Sequence, residues 1–213
     1  RKMRIPVAHL EAGLRSGDAD MPEEINRRAL DAISDIHWAP DEASAARLRR
    51  EGHGRVRAVG NAMVDSLLRH LPAALQRALP QGLAPGNYGI VTLHRPANVD
   101  DPAALAALLA ALEAAARRLP IAWPLHPRTR QRMEAFGLAP PPGVTMLPPL
   151  RYLDFLALLS RARLVATDSG GVQEEAAAAG VPCLTLRDST ERPVTIEAGG
   201  NRLVTAAQLP GAV

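Results

Sequence analysis

The chain has 213 residues, 47% of them hydrophobic, and its 25 basic and 22 acidic side chains leave a net charge of +3. That length and apolar content suit one large or two small globular domains. They exclude a helical membrane protein, since no apolar run approaches the ~18 residues of a span, so no membrane partner is expected. The pI of 9.7 comes from arginines dispersed among acids, and with aromatics at 3% there are few platforms for stacking bases. Nucleic acid is therefore not an expected partner; an anionic small molecule held by arginines at loop ends fits better. The single cysteine, Cys183, lies in an apolar strand-like run. It can form no internal disulfide and fits a reducing, cytoplasmic setting.

Along the chain, "IPVAHL" reads as a strand and "PEEINRRALDAIS" as a helix with Pro22 in its first turn. "IHWAP" reads as the next strand, and "DEASAARLRREG" as a helix opened by Asp41 and closed by Gly52. "RVRAVG" and "NAMVDSLLRHL" repeat the unit. The Pro/Gly-rich stretch at 79–87 is the predicted linker. Beyond it come "GIVTLHR", an Ala/Leu helix over about 102–118, "IAWPLHP", "RTRQRMEAFG", "VTMLPPL", "YLDFLALLSRA", "RLVATD", a Glu-Glu helix, "VPCLTLR", "RPVTIEAG" and "RLVTA". Strands alternating with helices predict an α/β fold with parallel sheets and right-handed crossovers. Residues 1–78 would form part of a first domain and 88–213 a second. Arg1 leads directly into a βα series, and three βα units make a thin sheet, so the chain reads as part of a longer protein.

In open α/β sheets, ligands sit beyond the carboxyl ends of the strands. Four such ends are polar here: His94-Arg95-Pro96-Ala97-Asn98, His126-Pro127-Arg128, Leu150-Arg151-Tyr152 and Asp168-Ser169-Gly170-Gly171. In the last of these, two glycines permit a tight turn and close approach to the backbone N–H groups. The helix that follows brings unpaired donors and a positive dipole end to the same place. That combination is a phosphate seat. Glu174 or Glu175, one helical turn inward, could accept from ribose hydroxyls, and Arg192, after the next strand, could pair with a diphosphate. The competing reading is an ordinary glycine turn with a solvated pair of glutamates.

The first segment adds "AHLEAGLRSGD" and "MPEEINRR". Glu11 closes a strand, Gly13 and Gly17 suggest close turns, and Glu23 and Glu24 open a helix where its dipole favours negative charge. Stabilisation of that helix start is the simpler role for Glu23. His9 and His37 read as structural. No His, Cys or Asp spacing suggests a zinc or iron site, and neither a Walker loop nor a Gly-x-Ser-x-Gly elbow is present.

Taken together, "HLEAGLRSGD", "MPEEINRR", "VGNAMVDSL", "TLHRPANVDD", "LHPRTR", "LPPLRYLDFLALL", "TDSGGVQEEAAAAGVPCLTLRDSTERP" and "AGGNRLV" occur in order across nearly the whole chain. The set resembles the UDP-N-acetylglucosamine 2-epimerases, especially the bacterial non-hydrolysing type. The resemblance implies two Rossmann-like domains of glycosyltransferase-B type, the first present only in part, with the nucleotide sugar between them. It implies that Ser169, Gly170 and Gly171 hold the diphosphate with Arg192 nearby, that Glu175 binds the uridine ribose, and that Phe155 packs near the uracil. Leu150 departs from a polar residue found there in some members. Glu11, Glu23 and His94 match the family's catalytic positions, and Arg95 and His126 match cleft positions. The implied reaction inverts C2 of UDP-N-acetylglucosamine by expelling UDP and returning it across a 2-acetamidoglucal, without metal, nicotinamide or other cofactor. The implied partners are UDP-N-acetylglucosamine and UDP, with a homodimer for the full-length protein and a place in cell-surface polysaccharide biosynthesis. Residues 1–213 alone are expected not to turn over. The rival readings are a hydrolysing epimerase, a glycosyltransferase of the same architecture and an inactive UDP-sugar-binding module.

Overall fold

The computed structural model describes residues 3–19 and 21–213, so the reading at Arg1 lies outside the described residues. The chain forms two compact units that part between Ser66 and Leu67. Each is an α/β layer structure with an all-parallel sheet, as the alternation of elements predicts.

The first unit contains β1 (Ala8–Leu10), α1 (Pro22–Ile33), β2 (Ile36–Ala39), α2 (Glu42–Arg50), β3 (Val56–Ala58) and the start of α3 (Ala62–Leu75), with sheet order β1-β2-β3. The strand expected over 5–10 is realised only over 8–10. Pro6 has no N–H for a ladder, and the Val7 N–H donates to Asp35 Oδ2 at 3.0 Å instead. α1 begins at Pro22, as expected. α2 is capped by the Asp41 carboxylate, which accepts from the Ser44 N–H at 2.6 Å, and Gly52 follows with φ +87°. The apolar core is small: Ala12, Ala39, Ala45 and Leu48, with Val56 against it. The loop after β1 lies so close to α2 that a Cβ on Gly13 would stand 2.6 Å from the Ser44 carbonyl, and its φ of +83° suits glycine alone.

A buried ionic cluster supplements that core. Asp31, 1% exposed, holds His9 Nδ1 at 2.6 Å and the Arg15 guanidinium at 2.7 Å. Burial opposes the charge on Asp31, but hydrogen bonds from His9 and Arg15 outweigh it and hold the carboxyl below its usual range. His37, also buried, directs Nε2 at the Asp31 carbonyl (2.8 Å) and Nδ1 at the Gly54 carbonyl (3.2 Å). Both histidines are thus engaged within the fold.

The second unit takes in the rest of α3 and then β4 (Gly89–Thr92), α4 (Pro96–Val99), α5 (Pro102–Ala116), β5 (Ile121–Pro124), α6 (Pro127–Ala135), β6 (Val144–Leu147) and α7 (Tyr152–Leu159). It continues with β7 (Leu164–Thr167), α8 (Gly170–Ala178), β8 (Cys183–Thr185), α9 (Pro193–Glu197), β9 (Asn201–Leu203), a 3-10 turn at Ala206–Gln208 and α10 (Leu209–Ala212). The strand order is β6-β5-β4-β7-β8-β9, so the winding reverses between β4 and β7. Apolar layers cover both faces. One is built around Leu105, Leu108, Leu112 and Trp123, the other around Tyr88, Ile90, Leu158, Leu159 and Val165. Leu67, Leu71 and Ala74 of α3 pack with Leu153, Leu156 and Ala157 of α7. The segment 79–87 is without strand or long helix, but Leu79 and Leu83 pack on the second layer and the Gly86 N–H donates to the Arg161 carbonyl at 2.8 Å. Among the described residues no helix is long and apolar enough to cross a membrane.

The Asp31 cluster generates a prediction. Asp31→Ala leaves Arg15 with Glu51 at 2.7 Å but removes the buried acceptor of both His9 and Arg15, and should destabilise the first unit by roughly 1–3 kcal/mol. Amide hydrogen exchange in the whole protein should show lost protection in β1 and β2, with β4–β7 protection retained. Because the folded carboxyl titrates below the unfolded one, its stabilisation is complete above the unfolded value near 3.8 and is lost as pH falls through the folded one.

Candidate functional site

A sheet that reverses its winding leaves a crevice beyond the carboxyl ends of the strands at the reversal. In the second unit those strands are β4 and β7. β4 leads into Leu93, His94 and Arg95; β7 leads into Asp168, Ser169 and Gly170. The two exits are tied together by Asp168, which is fully buried. Its Oδ2 accepts from the His94 N–H at 3.0 Å, the Arg95 N–H at 2.8 Å and Asn98 Nδ2 at 3.0 Å. Its Oδ1 lies 3.2 Å from His94 Nδ1. The second Asn98 N–H reaches the Leu186 carbonyl at 3.0 Å, bringing in the exit of β8.

α8 starts at this edge. Ser169 is its cap residue, with extended backbone, and Gly170 and Gly171 form its first turn. A Cβ on Gly170 would lie 2.3 Å from Glu191 Oε1. Glu191 is itself held by Arg187 at 2.7 Å. The adjacent glutamates of α8 have different partners. Glu174 pairs with the Arg192 guanidinium at 3.2 Å, both side chains buried. Glu175, 8% exposed, has its carboxyl raised by burial, partly offset by a hydrogen bond from Tyr152. Tyr152 also meets the His70 ring edge-on at 5.8 Å. Phe155 and Leu150 are half-buried and pack on the apolar layer shared with Val172.

Next to His94 stands His126, the cap residue of α6, with ring centroids 5.1 Å apart. Burial lowers the His94 proton affinity most; Asp168 opposes this, while His126, Arg95 and Arg128 reinforce it. His94 is therefore neutral at pH 7. Arg128 and Arg132 share the Asp100 carboxylate.

The second unit thus gathers His94, Arg95, His126, Ser169, Gly170 and Gly171 along one sheet edge, with Glu175, Phe155 and Arg192 around α8. Glu11 and Glu23 belong to the first unit. Glu11, half-buried, follows β1 with φ +64°. That conformation is costly for a residue with a side chain. Glu23 is half-buried in the first turn of α1. Its neighbour Glu24 is buried and accepts from the Ser16 N–H at 2.7 Å, which pins the loop after β1 to the start of α1. Asp168, Asn98 and Tyr152 belong to the polar strand ends picked out by sequence, but their spacing assigns them no role. The aspartate before Ser-Gly-Gly was the visible signal, but its donors lie 70–74 positions away. Among the described residues no group of three or more His, Cys, Asp or Glu is placed to hold a metal ion.

A doubly wound parallel sheet with a glycine-opened helix at its switch point defines the Rossmann-like class. Within it, a family model described as UDP-N-acetylglucosamine 2-epimerase matches residues 1–209, and the chain belongs to that family. It is 44% identical over 213 residues to the UDP-2,3-diacetamido-2,3-dideoxy-D-glucuronate 2-epimerase of Pseudomonas aeruginosa, covering 97% of this chain and 59% of that protein. It is 41% identical over 216 residues to a UDP-N-acetylglucosamine 2-epimerase of Methanocaldococcus jannaschii, with 95% and 59% covered. The chain thus spans about three fifths of the length of these relatives. The crystal structure of the M. jannaschii enzyme with UDP-GlcNAc and UDP superposes with TM-score 0.89 at 40% identity, over 99% of this chain and 62% of that one. The Neisseria meningitidis enzyme bound to UDP-GlcNAc gives TM-score 0.87 at 31% identity, over 99% and 61%.

The crowding at Gly170 generates a prediction. Gly170→Ala should push Glu191 off its position beside α8 and cost roughly 1–3 kcal/mol, the usual range for overpacking. Thermal denaturation of the whole protein checks this. An unchanged midpoint would mean that Glu191 moves aside freely.

Proposed function

We propose that the whole protein carrying this chain is an isomerase that converts UDP-N-acetylglucosamine to UDP-N-acetylmannosamine. The observation that carries the proposal is the glycine-opened N-terminus of α8 beside His94 at the β4/β7 switch point, in a chain of the epimerase family. The C2 proton of the sugar is not acidic, so direct inversion is slow. Elimination resolves this. A base removes the C2 proton, the C–H electrons form the C1=C2 bond, and the C1–O bond breaks to release UDP. UDP then returns to C1 as a proton reaches the opposite face of C2.

Each part of that sequence has a candidate residue. The Ser169–Gly171 turn and the α8 dipole seat the diphosphate. Arg192, beside Glu174 of α8, is the cation for the same anion. Glu175 takes the ribose hydroxyls in place of Tyr152, and Phe155 lies beside the uracil. His94, with Arg95 and His126 nearby, stabilises the departing diphosphate. Glu11 and Glu23 exchange the C2 proton. The unusual backbone of Glu11 supports a functional role for it. No cofactor enters the balance.

A second substrate has an observation behind it: the P. aeruginosa relative, at 44% identity, is named for a diacetamido glucuronate. That nucleotide sugar offers the same UDP and the same C2 acetamido group. A hydrolysing variant would share every residue named here and differ in releasing free N-acetylmannosamine.

The test is solvent deuterium incorporation at C2 by the whole protein, with each UDP-sugar supplied in turn and products identified by NMR. Glu11→Gln and Glu23→Gln should each keep UDP affinity within about tenfold while losing most turnover. Exchange at the parent rate in either variant would remove that residue from the mechanism. Arg192→Ala should weaken UDP binding by roughly 1.5–3 kcal/mol in calorimetry.

A further inference from the structure

We infer that Asp168 is a positioning residue that fixes His94 in one tautomer, with Nδ1–H turned into the protein and Nε2 turned outward. An ionised carboxylate only accepts. Asp168 is completely buried and faces two backbone N–H groups, one Asn98 N–H and the His94 ring. The orientation of Asn98 is not free to vary, because its amide nitrogen also serves the Leu186 carbonyl. A bare Nδ1 3.2 Å from a carboxylate oxygen would set its lone pair against the negative charge, so the ring proton is favoured on Nδ1. The backbone bonds to His94 and Arg95 fix the start of the same loop, so main chain and ring are aimed by one group.

The ring is about one-third exposed, while Asp168 is fully buried. The charged and titratable groups that face it are Asp168, His126, Arg95 and Arg128. Three of these disfavour a second proton on the ring, as does burial, and Asp168 alone favours it. Asp168 therefore does two things for a ligand at this edge. It presents Nε2, and it offsets the positive charge that Nε2 acquires when it takes a proton to donate to an anion. The logic is that of a buried carboxylate orienting a catalytic histidine.

The consequence for turnover rests on the epimerase reading; the tautomer does not. The experiment therefore has two arms. In the whole protein with 15N-labelled histidine, assigned by loss of the signal in His94→Gln, neutral His94 should show a protonated Nδ1 and an unprotonated Nε2. A protonated Nε2 with bare Nδ1, or an even mixture, would overturn the inference whatever the enzyme does. In Asp168→Asn the tautomer preference should disappear. Its kcat should fall on the order of tenfold or more, KM should change little, and the alkaline limb of the kcat profile should move to lower pH, because the ring must be protonated to donate and Asp168 favours that proton. In a His94→Gln background, Asp168→Asn should cost clearly less than it does alone, since much of its effect runs through the ring. A purely structural role would give additive losses and an unmoved pH profile, and would also overturn the inference. Should Asp168→Asn fail to fold, the tautomer in the unsubstituted protein decides. Should the unsubstituted protein act on neither UDP-sugar, the epimerase reading fails while the tautomer measurement still decides this one.

Discussion

A parallel sheet that reverses its winding between β4 and β7 necessarily opens at its carboxyl edge, and the buried carboxylate of Asp168 holds that opening to one shape. The two strands pair through Gly89–Thr92 and Leu164–Thr167, and a bond from the Asp168 N–H to the Thr92 carbonyl at 3.2 Å follows the last pair. Beyond it the N–H groups of His94 and Arg95 need an acceptor outside the ladder. Placing a charged acceptor there satisfies both and ties in Asn98 and, through it, the exit of β8. Removing a group that serves several buried donors strands all of them. For that reason the glycine turn, the histidine and the arginine are read as one constellation and not as three neighbours in space.

The same use of buried polar groups recurs where apolar packing cannot reach. Behind α8, the Gln173 side-chain oxygen accepts from Thr190 at 2.6 Å and from Asn201 at 3.1 Å, and Asn201 in turn accepts from Thr185 at 2.7 Å. This network holds the segment bearing Arg187, Glu191 and Arg192 against the helix. Satisfied networks of this kind rigidify what they connect, which suits a segment that must meet an anion. In the first unit, the Asp31 cluster has the same relation to a core of three alanines and a leucine. Cys183, in the network's shadow 3.7 Å from the Thr185 hydroxyl, has its thiol pushed up to about 11 by burial. It acts as a small apolar side chain rather than a reactive one.

What sequence could and could not reveal follows from range. Strand ends and glycine turns are local, so His94, Arg95, Ser169, Gly170 and Gly171 could be nominated from spacing and are found along one edge. Helix starts were equally local: Asp41 caps α2 and Pro22 opens α1. The partners that give these residues their properties are distant. Asp168 meets His94 across 74 positions, and Tyr152 meets Glu175 across a helix pair. Adjacent acids were the hardest to separate. Glu24 accepts from Ser16 while Glu23 lies half-buried beside it, and Glu174 pairs with Arg192 while Glu175 meets Tyr152. A one-residue step on a helix turns a side chain by about 100°, and only the packing decides which way it faces. Backbone chemistry also overrode pattern: Pro6 shortened the first strand, and Pro96 and Pro193 opened short helices in loops.

The central claim is that the β4/β7 edge of the second unit is the diphosphate seat. A crystal structure of the whole protein with UDP tests it most directly. The account predicts diphosphate oxygens within about 3 Å of the Gly170 and Gly171 N–H groups, with the ribose on Glu175 in place of the Tyr152 hydroxyl. A diphosphate bound away from the start of α8, with Glu175 still held by Tyr152, would contradict it.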